Sequence, residues 1–398
     1  MLLVVLFIYL FMPPLKIPIY HMVFIISFIY ILLKIKKIFG YKKKKILYFN
    51  IVYINIILMY NIIIVIVNGK QLSNINSNIV SFFEIPIIAF AIIIYLKNNK
   101  KNFDELIERC FLVSFFQSIL SILSFMFPKI QNFFVENFVF IRMGEIQKRN
   151  LRWLMDRRLY GLSNGLTYST PIYQSIISGI CYGSSRIQKK NYIYFILILF
   201  SSITNARIGF IVFILVFFII FFQKINFQKI QCLFIMIIIA ILLLIILMKV
   251  GENNTIKWIV DSFEEIAKLF EGKKVGTFSV LFGEDFLKVP KGLSLICGTG
   301  ETVFGKEKGS DIGYINDLWY GGILYSIILW IFFIQNFLAL FYSKIQSKFI
   351  ELKTLSLIFL IVSIIVHIKG TFYAPSSYWN FIVLICVFNM VEKNRKGR

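Results

Sequence analysis

The chain is expected to fold as an all-α bundle of transmembrane helices, and two observations carry that expectation. Hydrophobic residues make up 58% of its 398 residues and charged residues only 16%, too few to coat the two or three domains of a soluble chain this long. Apolar runs near the roughly 20 residues that a helix needs to cross a bilayer recur from end to end. A soluble enzyme, a secreted disulfide scaffold and a disordered tail are excluded together. The 43 Lys and Arg exceed the 20 Asp and Glu by 23, which in a soluble protein would suggest nucleic acid. Here the excess reads as topology and as attraction to anionic lipid, because basic residues collect in loops kept in the cytoplasm; no nucleic-acid partner is expected.

Apolar runs fall at residues 1–12, 17–33, 46–67, 79–96, 109–127, 167–183, 192–204, 208–222, 231–248, 318–342, 354–368 and 379–391. The first is short and ends at Pro13-Pro14, so the expected number of spans is twelve with it and eleven without. Neither a basic segment before it nor a small-residue cleavage site after it supports a signal peptide. Three parts follow: spans within 1–248, a large loop at 249–317, and spans with a basic tail at 318–398. Cys110, Cys181, Cys232, Cys297 and Cys386 show no paired spacing, and neither a disulfide framework nor a zinc pattern is read from them.

The connectors set the orientation. Residues 34–45 carry seven Lys and no acid, and 184–191, 223–230 and the tail from Glu392 are also net basic. All four fall on one side under this span list, which is therefore read as cytoplasmic. The connectors 128–166 and 249–317 then lie outside. The first carries Lys129, Arg142, Lys148, Arg149, Arg152, Arg157 and Arg158 against Glu136, Glu145 and Asp156, on the face where positive charge is normally sparse. Within the second, Ile259, Phe263, Ile266 and Phe270 recur at helical spacing up to Gly272, an amphipathic helix that lies on the membrane, caps a cavity or packs on the bundle.

Three polar constellations stand on the outer face. Arg157-Arg158-Leu159-Tyr160-Gly161 precedes the sixth span, and Asn205-Ala206-Arg207-Ile208-Gly209 interrupts an apolar stretch at its outer end. Gly298-Thr299-Gly300 comes late in the large loop, followed by Asp311 and then Asp317 through Gly321-Gly322 at the tenth span. Singly each has a plain reading: a snorkelling arginine, a turn, a helix cap. Their order and shared side argue for more.

With these residues in place, the chain resembles the bacterial O-antigen and capsular polysaccharide polymerases (Wzy-type), relatives of the O-antigen ligases. The family's Arg-x-x-Gly element is matched by Arg158 to Gly161. Its Ser-Arg-x-Gly-like element is matched by Arg207 to Gly209, with Ala206 in place of the Ser. Its late Gly-x-Gly is matched by Gly298 and Gly300, and its polar residue before a Gly by Asp311 and Gly321. Ligases usually carry His where Asp311 stands, which points away from a ligase. The likeness spans the whole architecture but about 40 residues of motif.

The resemblance implies an enzyme of the bacterial cytoplasmic membrane with its C-terminus in the cytoplasm. It would transfer a glycan from a polyprenyl diphosphate carrier to a sugar hydroxyl of a second lipid-linked unit, on the outer face. Implied partners are polyprenyl diphosphate-linked oligosaccharides, membrane lipids, and a chain-length regulator and flippase of the same pathway. A diphosphate suits guanidinium groups, which stay charged and present a planar fork. Arg158 and Arg207 are the first candidates, with Arg157 and Arg152 beside them. Asp311 is the candidate base, with Gly298, Gly300, Glu84 and His367 in support. No cofactor or metal is implied. The alternatives are a ligase of the same superfamily and a flippase or other transporter of lipid-linked glycans.

Other polar residues within the apolar runs invite single readings. Glu84 sits mid-span, where an acid is costly; it lines a groove or is satisfied by a neighbouring helix. His21 reads as packed or interfacial, and His367, near Lys369 at a span end, as a second candidate base. Asn50, Asn55 and Asn61 read as interhelical hydrogen-bonders, and Trp319, Tyr320, Tyr373 and Trp379 as interfacial aromatics.

The orientation is tested with single cysteines at Lys43 and Lys274. An impermeant thiol reagent applied to intact cells should label position 274 and spare position 43; equal protection of both overturns the assignment.

Overall fold

The computed structural model describes residues 2–13, 18–34, 44–139, 161–163, 168–184, 190–223, 261, 264, 268, 271, 287–303 and 310–392. Among them the secondary structure is helical and no strand occurs. The helices are α1 (Leu2–Phe11), α2 (Ile19–Leu33), α3 (Lys44–Val67), α4 (Leu72–Asn98), α5 (Phe103–Met126), α6 (Pro128–Phe134), α7 (Ser169–Ser184), α8 (Lys190–Asn205), α9 (Arg207–Gln223), α10 (Leu293–Cys297), α11 (Gly313–Phe341), α12 (Leu352–His367) and α13 (Ser377–Val391). Four of them, α3, α4, α5 and α11, are long and apolar enough to cross a membrane. The chain is a multi-pass helical membrane protein. Of the apolar runs read from the sequence, 231–248 lies outside the described residues and each of the others falls on a helix. In the stretch of the expected amphipathic helix only Asp261, Glu264, Lys268 and Glu271 are described; they are exposed, and Lys268 pairs with Glu264 at 3.8 Å.

Packing divides the chain into two units. The first draws on Met1–Met12, Pro18–Arg109 and Gly276–Arg398, the second on Pro13–Ile17 and Cys110–Val275.

In the first unit polar contacts gather at two opposite ends of the helices. At one end, Lys97 of α4 pairs with Glu392 after α13. There also Ser343, after α11, donates to Asn389 at 2.8 Å, and Phe103 packs on Phe388 at 5.2 Å. At the other end, Lys70 after α3 pairs with Glu301 at 2.6 Å, and Asn74 donates to the Gly300 carbonyl at 3.1 Å. Between the ends, Asn336 of α11 donates to Asn50 of α3 at 2.8 Å. Two short polar side chains thus satisfy each other where no water would.

α4 is not a uniform helix. A 3-10 turn (Leu72–Ile75) and a short α segment lead into a π segment (Val80–Glu84) before the regular run Ile85–Asn98. The cause is Pro86, which has no N–H to give and whose ring crowds the preceding turn; widening that turn accommodates it.

α11 departs most from expectation. It begins at Gly313, earlier than its apolar run, and breaks at Gly322, where φ is 71° and ψ is −171°. The break folds the first segment back along the second. Tyr314 stacks on Trp330 with ring centroids 6.1 Å apart, whereas an unbroken helix would separate these residues by about 24 Å. A broken helix frees carbonyls, and in an apolar surrounding each free carbonyl costs several kcal/mol. The Gly298–Gly300 turn supplies the donors. Thr299 N–H and Gly300 N–H reach the Trp319 and Tyr320 carbonyls at 2.8 and 2.9 Å, Thr299 Oγ1 reaches Trp319 again at 2.8 Å, and the Tyr60 hydroxyl takes the Gly321 carbonyl at 2.9 Å.

The turn sits so close that a Cβ on Gly298 would overlap the Tyr320 carbonyl, and one on Gly322 the Ile296 carbonyl. Gly322→Ala therefore meets both a conformation reserved for glycine and a backbone clash, and should cost more than about 3 kcal/mol. Gly69 also has positive φ but open space around it, so Gly69→Ala should cost only about 1–2 kcal/mol. Thermal unfolding of the two variants in detergent checks the contrast; equal losses would mean that the break is not held by this turn.

Candidate functional site

The fold-back of α11 carries Asp317 into the interior of the first unit, where it meets two groups from elsewhere in the sequence. His367, the last residue of α12, places Nε2 2.9 Å from Asp317 Oδ2. Tyr373, in the link between α12 and α13, donates its hydroxyl to Asp317 Oδ1 at 2.5 Å. His367 is fully buried, and Asp317 and Tyr373 are 3% and 4% exposed. The link is held by Ser376, which caps α13 by accepting from the Trp379 N–H. Trp379 then packs with Phe333, Phe82 and Phe372 into an aromatic wall on which Tyr373 rests. Burial pushes the Tyr373 hydroxyl well above its ordinary range, and the neighbouring Asp317 carboxylate pushes it the same way. The phenol stays a donor.

This cluster is rich in unsatisfied polar atoms. His367 Nδ1 is buried and has no hydrogen-bond partner among the described residues, while Tyr320 and Tyr325 turn their hydroxyls towards Asn78 and towards Tyr373 and Asn61 without closing well-formed bonds. Tyr320 and Tyr325 meet edge to face at 5.5 Å, and Tyr325 stacks on Tyr60 at 5.9 Å. Buried polar atoms are normally paired, so the poorly satisfied polar groups near Asp317 set this part of the interior apart from the apolar packing around it.

Asp311 precedes α11 and is half-buried; burial raises its carboxyl, and nearby Lys369 works in the opposite direction. Gly298 and Gly300 form the turn that closes the helix break. Glu84 ends the π segment of α4, and its Oε2 lies 2.9 Å from His21 Nδ1 of α2. It is therefore satisfied by a neighbouring helix, and His21 is its partner on an exposed face.

Arg207 belongs to the second unit, where it opens α9 directly after the Ala206 break and is half-exposed. Around that break a seam of small polar side chains joins α7 and α8. Gln174 donates to Ser201 at 3.1 Å, Ser175 and Ser202 lie 2.6 Å apart, and Ser202 donates to the Pro171 carbonyl at 2.8 Å. Asn205, 1% exposed, has neither side-chain atom paired within the described residues. Arg152, Arg157 and Arg158 lie outside the described residues; Gly161, at the end of their motif, is buried against Gln117 and Ser121.

Asp317 belongs to the third polar constellation of the sequence, and Tyr373, expected as an interfacial aromatic, is buried against it instead. Two signals pointed at them. An acid at the mouth of an apolar run is costly without a partner, and the Gly321-Gly322 pair that follows permits a break. No protein-family model, curated protein or solved structure matches this chain.

Asp317→Ala would leave the His367 and Tyr373 donors facing an empty acceptor site. It should destabilise the protein by about 3 kcal/mol or more, with Asp317→Asn losing less because it keeps an acceptor oxygen. Thermal unfolding in detergent measures the difference; an alanine variant as stable as the parent would show that the two donors do not depend on this carboxylate.

Proposed function

We propose that this protein polymerises lipid-linked oligosaccharide repeat units on the outer face of the bacterial cytoplasmic membrane, moving the growing glycan from a polyprenyl diphosphate onto a sugar hydroxyl of another lipid-linked unit. The observation that carries the reading is the buried Asp317–His367–Tyr373 cluster with its poorly satisfied neighbours, at the end of the first unit away from the Lys97–Glu392 pair. A membrane protein retains such a group where it handles a polar substrate or a proton. The sequence favours an outward orientation for that end, since α3 starts and α13 ends at the opposite one and the sequence before the first and after the second is rich in Lys and Arg.

The chemistry divides between departing and accepting groups. Arg207, and Arg158 with Arg157 and Arg152, supply guanidinium for the diphosphate. The amide of Asn205, buried beside Arg207 and unpaired, suits further hydrogen bonds to phosphate oxygens. A tighter hold on the departing diphosphate than on the ester lowers the barrier, by about 3–4 kcal/mol for one well-placed group. On the acceptor side Asp311 and the Asp317 cluster are the candidates for taking the hydroxyl proton. In the first unit a cavity of about 430 Å³, lined by apolar side chains of α3, α4, α11 and α13, shares Phe82, Phe333 and Trp379 with the wall behind Tyr373. It offers the lipid part of a substrate an apolar surface beside the polar cluster.

One observation favours a second reading, a transporter of the same lipid-linked glycan: broken helices often form transporter binding sites. Here the segment after the break, Ile323–Phe341, reaches about 28 Å by itself, enough to cross the hydrocarbon core. The break thus lies towards one end of the span, away from its middle, which suits chemistry near the headgroups.

Deletion of the gene followed by glycan electrophoresis separates the readings. Loss of a polymerase leaves single repeat units on the final anchor, loss of a ligase leaves none, and loss of a flippase leaves units trapped on the cytoplasmic side. Arg207→Ala and Arg158→Ala, expressed at normal level, should each abolish long chains, and Lys should rescue either only in part. Long chains from both alanine variants would overturn the diphosphate assignment.

A further inference from the structure

The apolar cavity of the first unit runs well towards the end where Lys97 and Glu392 pair. Its wall reaches from Leu58 and Trp379 to Leu47 and Met390. Along α3 that is about 16 Å, the same as one leaflet of a bilayer whose hydrocarbon core is about 30 Å thick. Tyr48, Ile51 and Phe83 line the cavity and are also exposed, so it opens through the side of α3 and α4, where a span meets lipid. The amides and the indole of the wall are already engaged. Asn336 donates to Asn50, Asn50 to the Ile46 carbonyl, Asn55 to the Ile51 carbonyl and Trp379 to the Ser81 carbonyl. These groups ask no hydrogen bond of an occupant. A cavity of about 430 Å³ that opens onto lipid fills with hydrocarbon, because lining atoms without neighbours forfeit their dispersion contacts.

Charge at the Leu47 end selects the headgroup. Ile31, which α2 gives to the wall, stands one turn before Lys34, and Lys34 follows the end of α2 and is exposed. α3 opens on Lys44, and residues 34–45 hold seven Lys and no acid. Such an end attracts anionic lipid. A substrate chain hung from the outer face meets the cavity only at Phe82 and Trp379, with its own charged group a leaflet away from Lys34. We infer that the cavity holds one acyl chain of an anionic phospholipid from the inner leaflet, with the lipid phosphate beside Lys34. The chain lies along α3 and completes the packing that the side chains of α3, α4, α11 and α13 leave open. Binding of this lipid does not depend on polymerase activity.

The test uses the full-length protein in detergent, washed free of bulk lipid, and native mass spectrometry. One phospholipid should remain on each chain. Offered at equal concentration, phosphatidylglycerol should bind about fivefold more tightly than phosphatidylethanolamine, the difference that one nearby Lys makes. Lys34→Gln should erase that preference and still hold a lipid. Val383→Phe and Val387→Phe, each of which enlarges a side chain of the cavity wall, should lose the lipid. Retention of it by both variants, folded, overturns the assignment. Equal binding of the two headgroups by the wild type also overturns it, and that measurement needs no variant to fold. Displacement of the phospholipid by polyprenyl phosphate at equal concentration gives the cavity to a substrate chain; it overturns the phospholipid assignment and leaves the polymerase reading standing.

Discussion

The carbonyl groups freed where α11 breaks govern much of the first unit. Inside an apolar bundle no water takes them, so the break can exist only where other donors stand ready. Thr299, Gly300 and Tyr60 are those donors. Their positions tie a late loop and an early helix to one point on α11. The requirement explains why glycines gather there, since only bare backbone lets one chain approach another so closely. It also explains why Asp317 reaches the interior: the segment that carries it is turned back by the break and lies against α12, with Tyr314 beside both Trp330 and His367. Without the turn at Gly298–Gly300 the carboxylate would have no reason to meet the imidazole.

The second unit solves a related problem by other means. α7, α8 and the start of α9 approach one another through serines and glycine, whose small size allows close packing and whose hydroxyls bond across helices. Ser175 serves both Ser202 and the Gly209 carbonyl, at 2.6 Å each. Ser202 and Pro171 would meet any side chain placed on Gly209. Asn191 keeps one bond, to Ser184, and leaves its amide oxygen unpaired among the described residues, whereas Asn205, two positions before Arg207, has neither side-chain atom paired there. An amide unpaired at both atoms within this seam directs attention to the break between α8 and α9.

Much of this was legible in the sequence, and what was not has a physical reason. Apolar runs announce helices because the bilayer demands length and apolarity together, so α2, α3, α12 and α13 fall close to where hydropathy puts them. The start of α11 does not, because Gly313 to Asp317 is too polar to count as a span and is buried by its neighbours instead. The π segment of α4 follows from Pro86, a cause visible in sequence whose effect depends on the turn before it. The pairs that define the candidate site join residues about 50 apart, and no periodicity reports which imidazole a carboxylate will find. His367 was readable as a candidate and Asp317 as an oddity; their meeting was not. Gly298, Gly300 and Arg207 drew notice by motif, and the structure adds what each is packed against.

The short α1 has a consequence for assembly. It has 10 residues, about 15 Å of helix, and cannot cross a bilayer unaided. Its buried face of Leu6, Tyr9, Leu10 and Phe11 rests on partners from α4 and α13. Tyr9 and Asn380 hold each other by two bonds, the tyrosine hydroxyl to the Asn380 carbonyl at 2.8 Å and the Asn380 amide to the Tyr9 carbonyl, across 371 positions of sequence. During synthesis α1 must therefore wait at the membrane surface or in provisional company until α13 has been made. The bundle closes late, on a contact between segments made far apart in time, and a chain stalled before α13 would leave that tyrosine and its apolar neighbours exposed to whatever recognises unfinished membrane proteins.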